Sequence, residues 1–468
     1  MSTNPVPSEV TLFKNVNIFD GTNEKLLEGY DVLVIENKIR EIRQGIPTSG
    51  TYEIDVKAGG FKKAELPQGV YGHDHGFDVM VYEEEKWVKK EVGVNVIDGQ
   101  GCTLMPGLTD SHWHCLAAAI TLQNLEMEEA DYLYAAMIAE AEKTLLRGFT
   151  TVRDMGGVSF GLKKAIDRGI VQGPRILPSG AVISQTSGHF DFSKVYDQPK
   201  RFGGPEARIE QLGAARVADG VDEVLSAVRH NLKGGASQIK LAAGGGVASQ
   251  YDPLDVNEYT FDELKAAVDA ASDWNTYVAV HIYNPKGIIR AIKAGVKSIE
   301  HGQLMDEESA KLMAEKGVWL NIQPFFKGDP GSETLSPESL KKYNHMCDGF
   351  DVAMKLAKKY QLKMSFGTDL LFSPAANGRQ ADLLARFDKY LSNVELLRMI
   401  TSVNAELFEM SGPRHPYREG KLGVIAEGAY ADILLIDGNP LEDLSLLGSD
   451  GKHIPLIMKD GKIYKDEL

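Results

Sequence analysis

The residues of this chain best suited to chemistry are four histidines, one lysine and one aspartate, each expected where a β-strand ends. They are His112, His114, Lys240, His281, His301 and Asp369. His112 and His114 follow an apolar stretch and a Pro-Gly turn. Residues two apart on an extended strand point to the same face and lie about 7 Å apart, so this pair can close on one cation.

The six side chains are of the types that a two-metal hydrolase needs. Zinc favours imidazole nitrogen and carboxylate oxygen, and a catalytic zinc leaves one position open for water. Lys240 cannot bind a cation as an ammonium. Burial beside cations would lower its pKa, and the free amine could then react with carbon dioxide to form a carbamate that bridges two metal ions. The alternative is that Lys240 only forms a salt bridge.

The segment that carries these residues alternates between strand and helix patterns, with helices such as 261–271 and 285–294. Eight strand-and-helix units over about 300 residues are typical of an α/β protein with a closed (β/α)8 TIM barrel. The active site of such a barrel lies at the carboxyl ends of its strands, where all six residues fall, on strands one, four, five, six and eight. The predicted strands are the His112 strand, 150–154, 175–184, 238–242, 278–281, 298–301, 318–323 and 364–369.

Both ends of the chain have the alternating pattern of β-strands. We predict one discontinuous β-sandwich, formed by residues 1–105 and 412–468, with the barrel at 106–411 between its halves. An insertion at about 59–92 includes a charged hairpin. The other predicted strands are 10–19, 30–35, 38–42, 94–98, 103–105, 423–425, 432–436, 455–459 and 461–463.

The composition of the chain limits the classes of partner that we expect. The chain has 468 residues, 43% of them hydrophobic, and its 51 basic and 66 acidic residues give a formal charge of −15. Such a surface repels phosphate backbones and anionic lipids, so we expect neither nucleic acid nor a membrane as partner. The exposed faces of the barrel and the sandwich lead us to expect a homo-oligomer.

Three scattered cysteines and an N-terminus without a secretory pattern favour a reducing, cytoplasmic location. Read literally, the last four residues, Lys465-Asp466-Glu467-Leu468, would be a retention signal of the endoplasmic reticulum. We expect them instead to form an acidic, solvated tail.

The sequence resembles the amidohydrolase superfamily, and more narrowly its prolidase-like and ochratoxinase-like branch. The resemblance implies that His112, His114 and Asp369 hold a first metal ion, that His281 and His301 hold a second, and that carboxylated Lys240 bridges them. It also implies hydrolysis of amide bonds in dipeptides or N-acyl amino acids. The matching segments are 106–114, 239–240, 278–281, 298–302 and 367–369, and those similar to the branch are 173–175, 183–191 and 243–249.

The mechanism implied by the resemblance is attack of a metal-bridging hydroxide on the scissile carbonyl. The substrate would be a small amide, such as a dipeptide, an N-acyl amino acid or an ochratoxin-like amide. Asp369 would take up the proton and pass it to the leaving amine. His189 and Tyr283 are candidate contacts to the substrate carbonyl or carboxylate, and for Tyr283 a structural role is the alternative.

Other functions are open to the same sequence. A hydrolase of cyclic amides, like imidazolonepropionase, or a deaminase of the superfamily is disfavoured by the presence of Lys240. The segment Ile282-Tyr283-Asn284-Pro285 also lacks the glutamate that such deaminases place shortly after the strand-five histidine. A non-enzymatic scaffold is disfavoured by the complete ligand set.

Two further clusters could be mistaken for sites. His73-Asp74-His75 is a second His-x-His, but it lies in a glycine-rich stretch, so we expect a solvated loop. Arg153-Asp154 could be catalytic, but we expect an ion pair that orients the rim of the barrel.

Overall fold

The computed structural model describes residues 10–55, 60–63, 76–83 and 86–468. His73-Asp74-His75 lies outside the described residues. Contacts divide the chain into two compact units. One comprises the described part of Met1–Gly107 with Glu419–Leu446 and His453–Leu468, and the other comprises Leu108–Arg418 with Leu447–Lys452. In the described ranges, no helix has the length and apolar composition needed to cross a membrane.

The strands are numbered in chain order. They are β1 (Val10–Ile18), β2 (Leu27–Ile35), β3 (Lys38–Arg43), β4 (Gly50–Asp55), β5 (Gly60–Lys63), β6 (Gly76–Glu83), β7 (Lys86–Asp98), β8 (Thr103–Pro106), β9 (Leu108–Trp113), β10 (Phe149–Asp154), β11 (Arg175–Pro178), β12 (Val182–Ser184), β13 (Ala215–Val217), β14 (Ile239–Ala242), β15 (Val278–Ile282), β16 (Ser298–His301), β17 (Trp319–Asn321), β18 (Met364–Ser365), β19 (Ile433–Ile436), β20 (Leu456–Lys459) and β21 (Lys462–Asp466).

The α-helices all belong to the second unit. They are α1 (Leu122–Met127), α2 (Ala130–Leu146), α3 (Ser159–Asp167), α4 (Arg208–Gln211), α5 (Val221–Gly234), α6 (Phe261–Asp273), α7 (Pro285–Ala294), α8 (Glu307–Lys316), α9 (Pro337–Lys359), α10 (Asn393–Arg398) and α11 (Asn404–Glu409).

The first unit is a sheet of eleven described strands in the order β21-β20-β19-β8-β1-β7-β6-β4-β5, with β2 on β1 and β3 on β2. The early and late parts of the chain meet where β8 pairs antiparallel with β19, at Leu104 opposite Leu435. Apolar side chains on one face of these strands form a common core, which includes Phe13, Val32 and Met458. Pairing of strands from both ends makes this unit discontinuous in sequence.

The second unit is a mixed α/β structure with two parallel sheets. Their orders are β11-β10-β9 and β13-β12-β14-β15-β16-β17-β18, and every described pair within them is parallel. Helices connect most successive strands, as parallel pairing requires. Beyond the sheets, the backbone N–H of Ser111 on β9 donates to the carbonyl of Phe366, just after β18, at 2.9 Å.

Local signals in the sequence account for several helix boundaries. The Thr260 hydroxyl accepts from the Glu263 backbone and the Glu263 side chain returns to the backbone of Thr260, a capping box that starts α6. Asn284 caps α7, Pro285 opens it, and the left-handed Gly295 ends it. The helix predicted at 285–294 is therefore confirmed.

The prediction of one strand over 175–184 was wrong. The segment forms β11 and β12, which belong to different sheets. Between them Gly180 adopts φ 74°. A Cβ there would lie 2.8 Å from the Phe160 ring and 2.9 Å from the Asn231 amide, so the turn requires glycine.

Three further expectations about elements were wrong. The last parallel strand ends at Ser365, not at 369. Residues 423–425 form no strand. The C-terminal residues are exposed from Asp466 onwards, as expected, but they do not all form a tail, because Lys465 and Asp466 belong to β21 and pair with Ile457 and Leu456.

Candidate active site

Three predicted ligands lie close enough to hold one metal ion. Ligand atoms of His112, His114 and Asp369 all lie within 4.8 Å of one another. The Oδ1 atom of Asp369 is 3.4 Å from His112 Nε2 and 3.2 Å from His114 Nε2. Two nitrogens and one carboxylate oxygen are a donor set that zinc accepts, with room for water as a further ligand. The residues present therefore fit a metal ion.

The opposite nitrogen of each of these histidines is held by the protein. His112 Nδ1 lies 2.9 Å from Glu300 Oε2, and His114 Nδ1 lies 2.9 Å from the carbonyl of Gly156. Because both partners accept, Nδ1 donates to them, and Nε2 is the nitrogen on the side of Asp369. Burial, helped by the charge of Lys240, holds the pKa of His112 well below its ordinary value, which keeps that ring neutral.

His281 and His301 lie beside this group. Their ring centroids are 4.3 Å apart, and His301 is 5.0 Å from His112. His301 Nδ1 is 2.7 Å from Gln323 Oε1, and His281 Nε2 is 3.2 Å from the Gly245 carbonyl. Burial lowers the pKa of His301 to about 3 and that of His281 well below its ordinary value. Each ring is therefore neutral and keeps one nitrogen for a ligand.

Lys240 lies between the two groups of ligands. Its Nζ atom is 3.3 Å from His112 Nε2, and the side chain is 1% exposed. Burial lowers the pKa of Lys240 to about 8, although the carboxylates of Glu300 and Asp369 act in the opposite direction. A lysine with such a pKa is partly unprotonated at neutral pH, which is the form that reacts with carbon dioxide.

Two of the candidate ligands adopt left-handed backbone, with φ 81° at His301 and φ 49° at Asp369. Such conformations are uncommon outside glycine and persist where the surroundings enforce them. The Asp369 N–H donates to the His112 carbonyl at 2.8 Å. The buried carboxylate of Asp110, a residue of β9, accepts from the backbone N–H and the hydroxyl of Thr368 and ties that turn to the strand.

Sequence reasoning missed Glu300 and misjudged Arg153. The guanidinium of Arg153 donates to both Glu300 oxygens, at 2.8 and 2.9 Å, and to the Tyr277 hydroxyl at 3.0 Å. Arg153 is 0% exposed, so it pairs in the interior with Glu300 and not at a rim with Asp154. Asp154 instead accepts from the Ser159 hydroxyl. A charged residue directly before His301, in the short strand Ser298–His301, was the available signal.

The two predicted substrate contacts also lie here. The His189 ring stacks on His281 with centroids 4.0 Å apart. Tyr283 meets His281 edge to face at 5.0 Å and stacks on His301 at 5.1 Å. Burial raises the pKa of the Tyr283 hydroxyl well above its ordinary value, so the group stays protonated. The structure thus brings all eight predicted residues into one buried cluster.

Residues 103–464 match the model of the amidohydrolase family. The chain belongs to that family. It is 32% identical over 376 residues to ochratoxinase from Aspergillus niger, covering 77% of this chain and 75% of the relative. Two solved structures each cover 98% of the chain and 100% of their own length. One is an amidohydrolase, with 35% identity and TM-score 0.79, and the other is a prolidase complexed with N-methylphosphonate-L-proline, with 33% identity and TM-score 0.80.

These likenesses confirm the prolidase-like and ochratoxinase-like branch of the amidohydrolases predicted from the sequence. The protein is a hydrolase that acts on amide bonds, and its family acts on small molecules. The family is metal-dependent, and the cluster of His112, His114 and Asp369 could hold a metal.

Proposed function

We propose that this amidohydrolase uses two metal ions to cleave the amide bond of a dipeptide, an N-acyl amino acid or an ochratoxin-like amide. The observation that carries the proposal is the convergence of six potential ligands in one buried cluster. Three of them, His112, His114 and Asp369, already meet within 4.8 Å. The ligand complexed with the related prolidase, a phosphonate linked to proline, supports a substrate with an amide next to a carboxylate.

The proposed architecture is a closed (β/α)8 barrel of residues 106–411 with a β-sandwich formed by residues 1–105 and 412–468. The bond between Ser111 N–H and the Phe366 carbonyl supports closure, because it joins the first strand of the barrel to the segment after the last. Closure would gather the carboxyl ends of all strands around one mouth, which is where barrel enzymes carry their active sites.

The first ion would be held by His112, His114 and Asp369, and the second by His281 and His301. Two histidines are too few for a stable site, so the second ion needs an anionic ligand. A carbamate on Lys240, whose Nζ lies 3.3 Å from His112 Nε2, would supply one oxygen to each ion. The nitrogen-rich donor set favours zinc.

When bound, the ions would lower the pKa of a water molecule and polarise the scissile carbonyl. Contacts with His114, His301 and Lys240 hold the pKa of Asp369 below its ordinary value despite burial, so the group is an ionised carboxylate and can accept a proton. We assign it the transfer of the proton to the leaving amine. Among the described residues nothing bonds the Tyr283 hydroxyl, which leaves it to donate to the substrate. The free ring nitrogen of His189 would contact the substrate carbonyl or carboxylate.

The test combines metal analysis with a substrate screen. Protein produced with added zinc should contain about two ions per chain, and it should hydrolyse members of a panel of Xaa-Pro dipeptides, N-acyl amino acids and ochratoxin-like amides. Clearly less than one ion per chain, or no hydrolysis across the panel, would contradict the proposal.

The bridging carbamate has its own test. Protein equilibrated with ¹³C-labelled bicarbonate should show a carbamate carbon signal that is absent from Lys240→Ala. Lys240→Ala should also lose metal and activity, and short carboxylic acids should restore part of both. An unmodified Lys240 ammonium in a high-resolution structure with both ions bound would refute it.

A further inference from the structure

The loop of residues 243–252, which follows β14, contacts two histidines of the site. The Gly245 carbonyl lies 3.2 Å from His281 Nε2. Gly246 packs so closely on the His189 ring that a Cβ there would lie 2.1 Å from Nδ1. The position of this loop therefore decides where the His189 ring lies.

Asp252 is the centre of the hydrogen bonds that hold the loop. It is 2% exposed, and its Oδ2 atom accepts from the Gly246 N–H at 2.6 Å and from the Ser249 hydroxyl at 2.6 Å. His189 Nδ1 lies 2.5 Å from the same Ser249 oxygen and 3.2 Å from Asp252 Oδ2. Burial opposes ionisation, yet the bond to His189 lowers the pKa of Asp252, so the group is a carboxylate. A carboxylate can only accept, so His189 carries its proton on Nδ1 and presents Nε2 to the site.

Lys342, on α9, reaches the same loop from a distant part of the chain. Its ammonium donates to the carbonyls of Gly246 and Ser249, both at 2.6 Å, and to that of Asp252 at 3.3 Å. It also lies 3.7 Å from Asp252 Oδ1. An ammonium has three donors, and three backbone carbonyls of one short loop match that number.

We propose that Lys342 and Asp252 are positioning residues, which act together as a clamp on residues 243–252 and keep the His189 ring stacked on His281. Lys342 fixes the loop, and Asp252 fixes both the orientation of the ring and the nitrogen that faces the substrate. The proposal rests on the proposed function, in which His189 contacts the substrate. Neither residue would touch the substrate.

A double-mutant cycle tests whether the clamp acts through His189. Asp252→Asn should lower kcat/KM about tenfold or more while the metal content stays unchanged, as is usual when the partner of an active-site histidine is removed. Lys342→Met should act in the same direction, and Lys342→Arg should keep more activity because it retains the charge. In a His189→Asn background neither Asp252→Asn nor Lys342→Met should cause a further loss. A role in general stability would give the same loss in both backgrounds, which would overturn the proposal.

Amide hydrogen exchange tests the clamp without any substrate. Lys342→Met should speed exchange in peptides that cover residues 243–252 at least several-fold. The matched control is Lys341→Met, the same change at the exposed neighbour on α9, which should exchange like the wild type. If the wild type hydrolyses no amide, the proposed function fails, and the exchange result alone then decides whether Lys342 holds the loop. Unchanged exchange in Lys342→Met would refute the clamp even in an active enzyme.

Discussion

At the scale of single residues, hydrogen bonds to neighbouring groups orient the candidate ligands. His112, His114 and His301 each have one ring nitrogen held, by Glu300, the Gly156 carbonyl and Gln323 respectively. Each remaining nitrogen is thereby fixed in direction. Such partners reduce the loss of side-chain entropy on binding and raise the affinity for metal.

Asp369→Asn should abolish turnover and leave most of the metal in place. Asp369 is one of several ligands, but it is the group to which we assign the proton transfer, and an amide cannot accept that proton. A loss of at least ~10²-fold in kcat is expected, measured beside elemental analysis. His73→Ala should have near wild-type activity. Normal turnover by Asp369→Asn, or an inactive His73→Ala, would locate the active site elsewhere.

Tyr283→Phe should reduce kcat/KM about tenfold without loss of stability. No described residue bonds the Tyr283 hydroxyl, so its removal leaves no protein group unsatisfied, whereas the substrate would lose a donor. Steady-state kinetics and urea unfolding measure the two effects. The control is Tyr277→Phe, which removes the acceptor of an Arg153 hydrogen bond and should cost stability. A fully active Tyr283→Phe would show that Tyr283 has a structural role and does not contact the substrate.

At the scale of elements, one buried ion pair and its hydrogen bonds join three strands from two sheets. Arg153 on β10 binds Glu300 on β16 and donates to the Ser111 carbonyl on β9 at 2.6 Å, and Glu300 in turn holds His112. Two of the strands that carry candidate ligands, β9 and β16, are therefore tied together through Arg153 and Glu300. Contacts of this kind keep ligands on separate strands at fixed distances from one another, because they resist sliding of one strand past another.

Arg153→Met should lower the free energy of unfolding by about 3–5 kcal/mol, because it leaves the Glu300 carboxylate buried without its partner. Urea unfolding of the metal-free protein measures the change. The control is Lys265→Met, which removes an exposed pair with Asp269 within one helix and should cost no more than about 0.5 kcal/mol. Equal effects from the two substitutions would show that the buried pair does not stabilise the fold.

At the scale of the whole molecule, buried neutral histidines make stability depend on pH. Burial lowers the pKa of His301 from 6.5 to about 3, and the pKa values of His112 and His281 are also depressed. Below pH 6.5 the unfolded chain binds protons that the folded protein excludes. The stability present above pH 6.5 is therefore lost as the pH falls, and for His301 the loss continues down to about pH 3.

The free energy of unfolding of the metal-free protein should fall between pH 6.5 and pH 4, by about 1.4 kcal/mol per pH unit for each such histidine. Urea unfolding at a series of pH values gives the slope. His301→Gln should reduce this slope by the amount that corresponds to about one proton. The control is His345→Gln, which makes the same change at an exposed position on α9. A flat profile, or an unchanged slope in His301→Gln, would contradict the assignment.

Local pattern by itself determined much of this protein. Alternation of apolar strands and amphipathic helices predicted the α/β fold, and the helices predicted at 261–271 and 285–294 begin where α6 and α7 begin. Spacing and strand-end positions were enough to select His112, His114, Lys240, His281, His301 and Asp369, because such signals depend only on neighbours in the chain. The motifs around these residues were also sufficient to predict the family.

Only the tertiary structure decided which groups support those residues. Arg153 and Glu300 are bonded although they are 147 residues apart in the sequence, and Lys342 and the Ser249 carbonyl are bonded although they are 93 residues apart. Similarly, the break at Gly180 follows from the nearby Phe160 and Asn231 side chains. A single sequence contains no periodic or spacing signal for such partners, because the fold, and not the chain, brings them together.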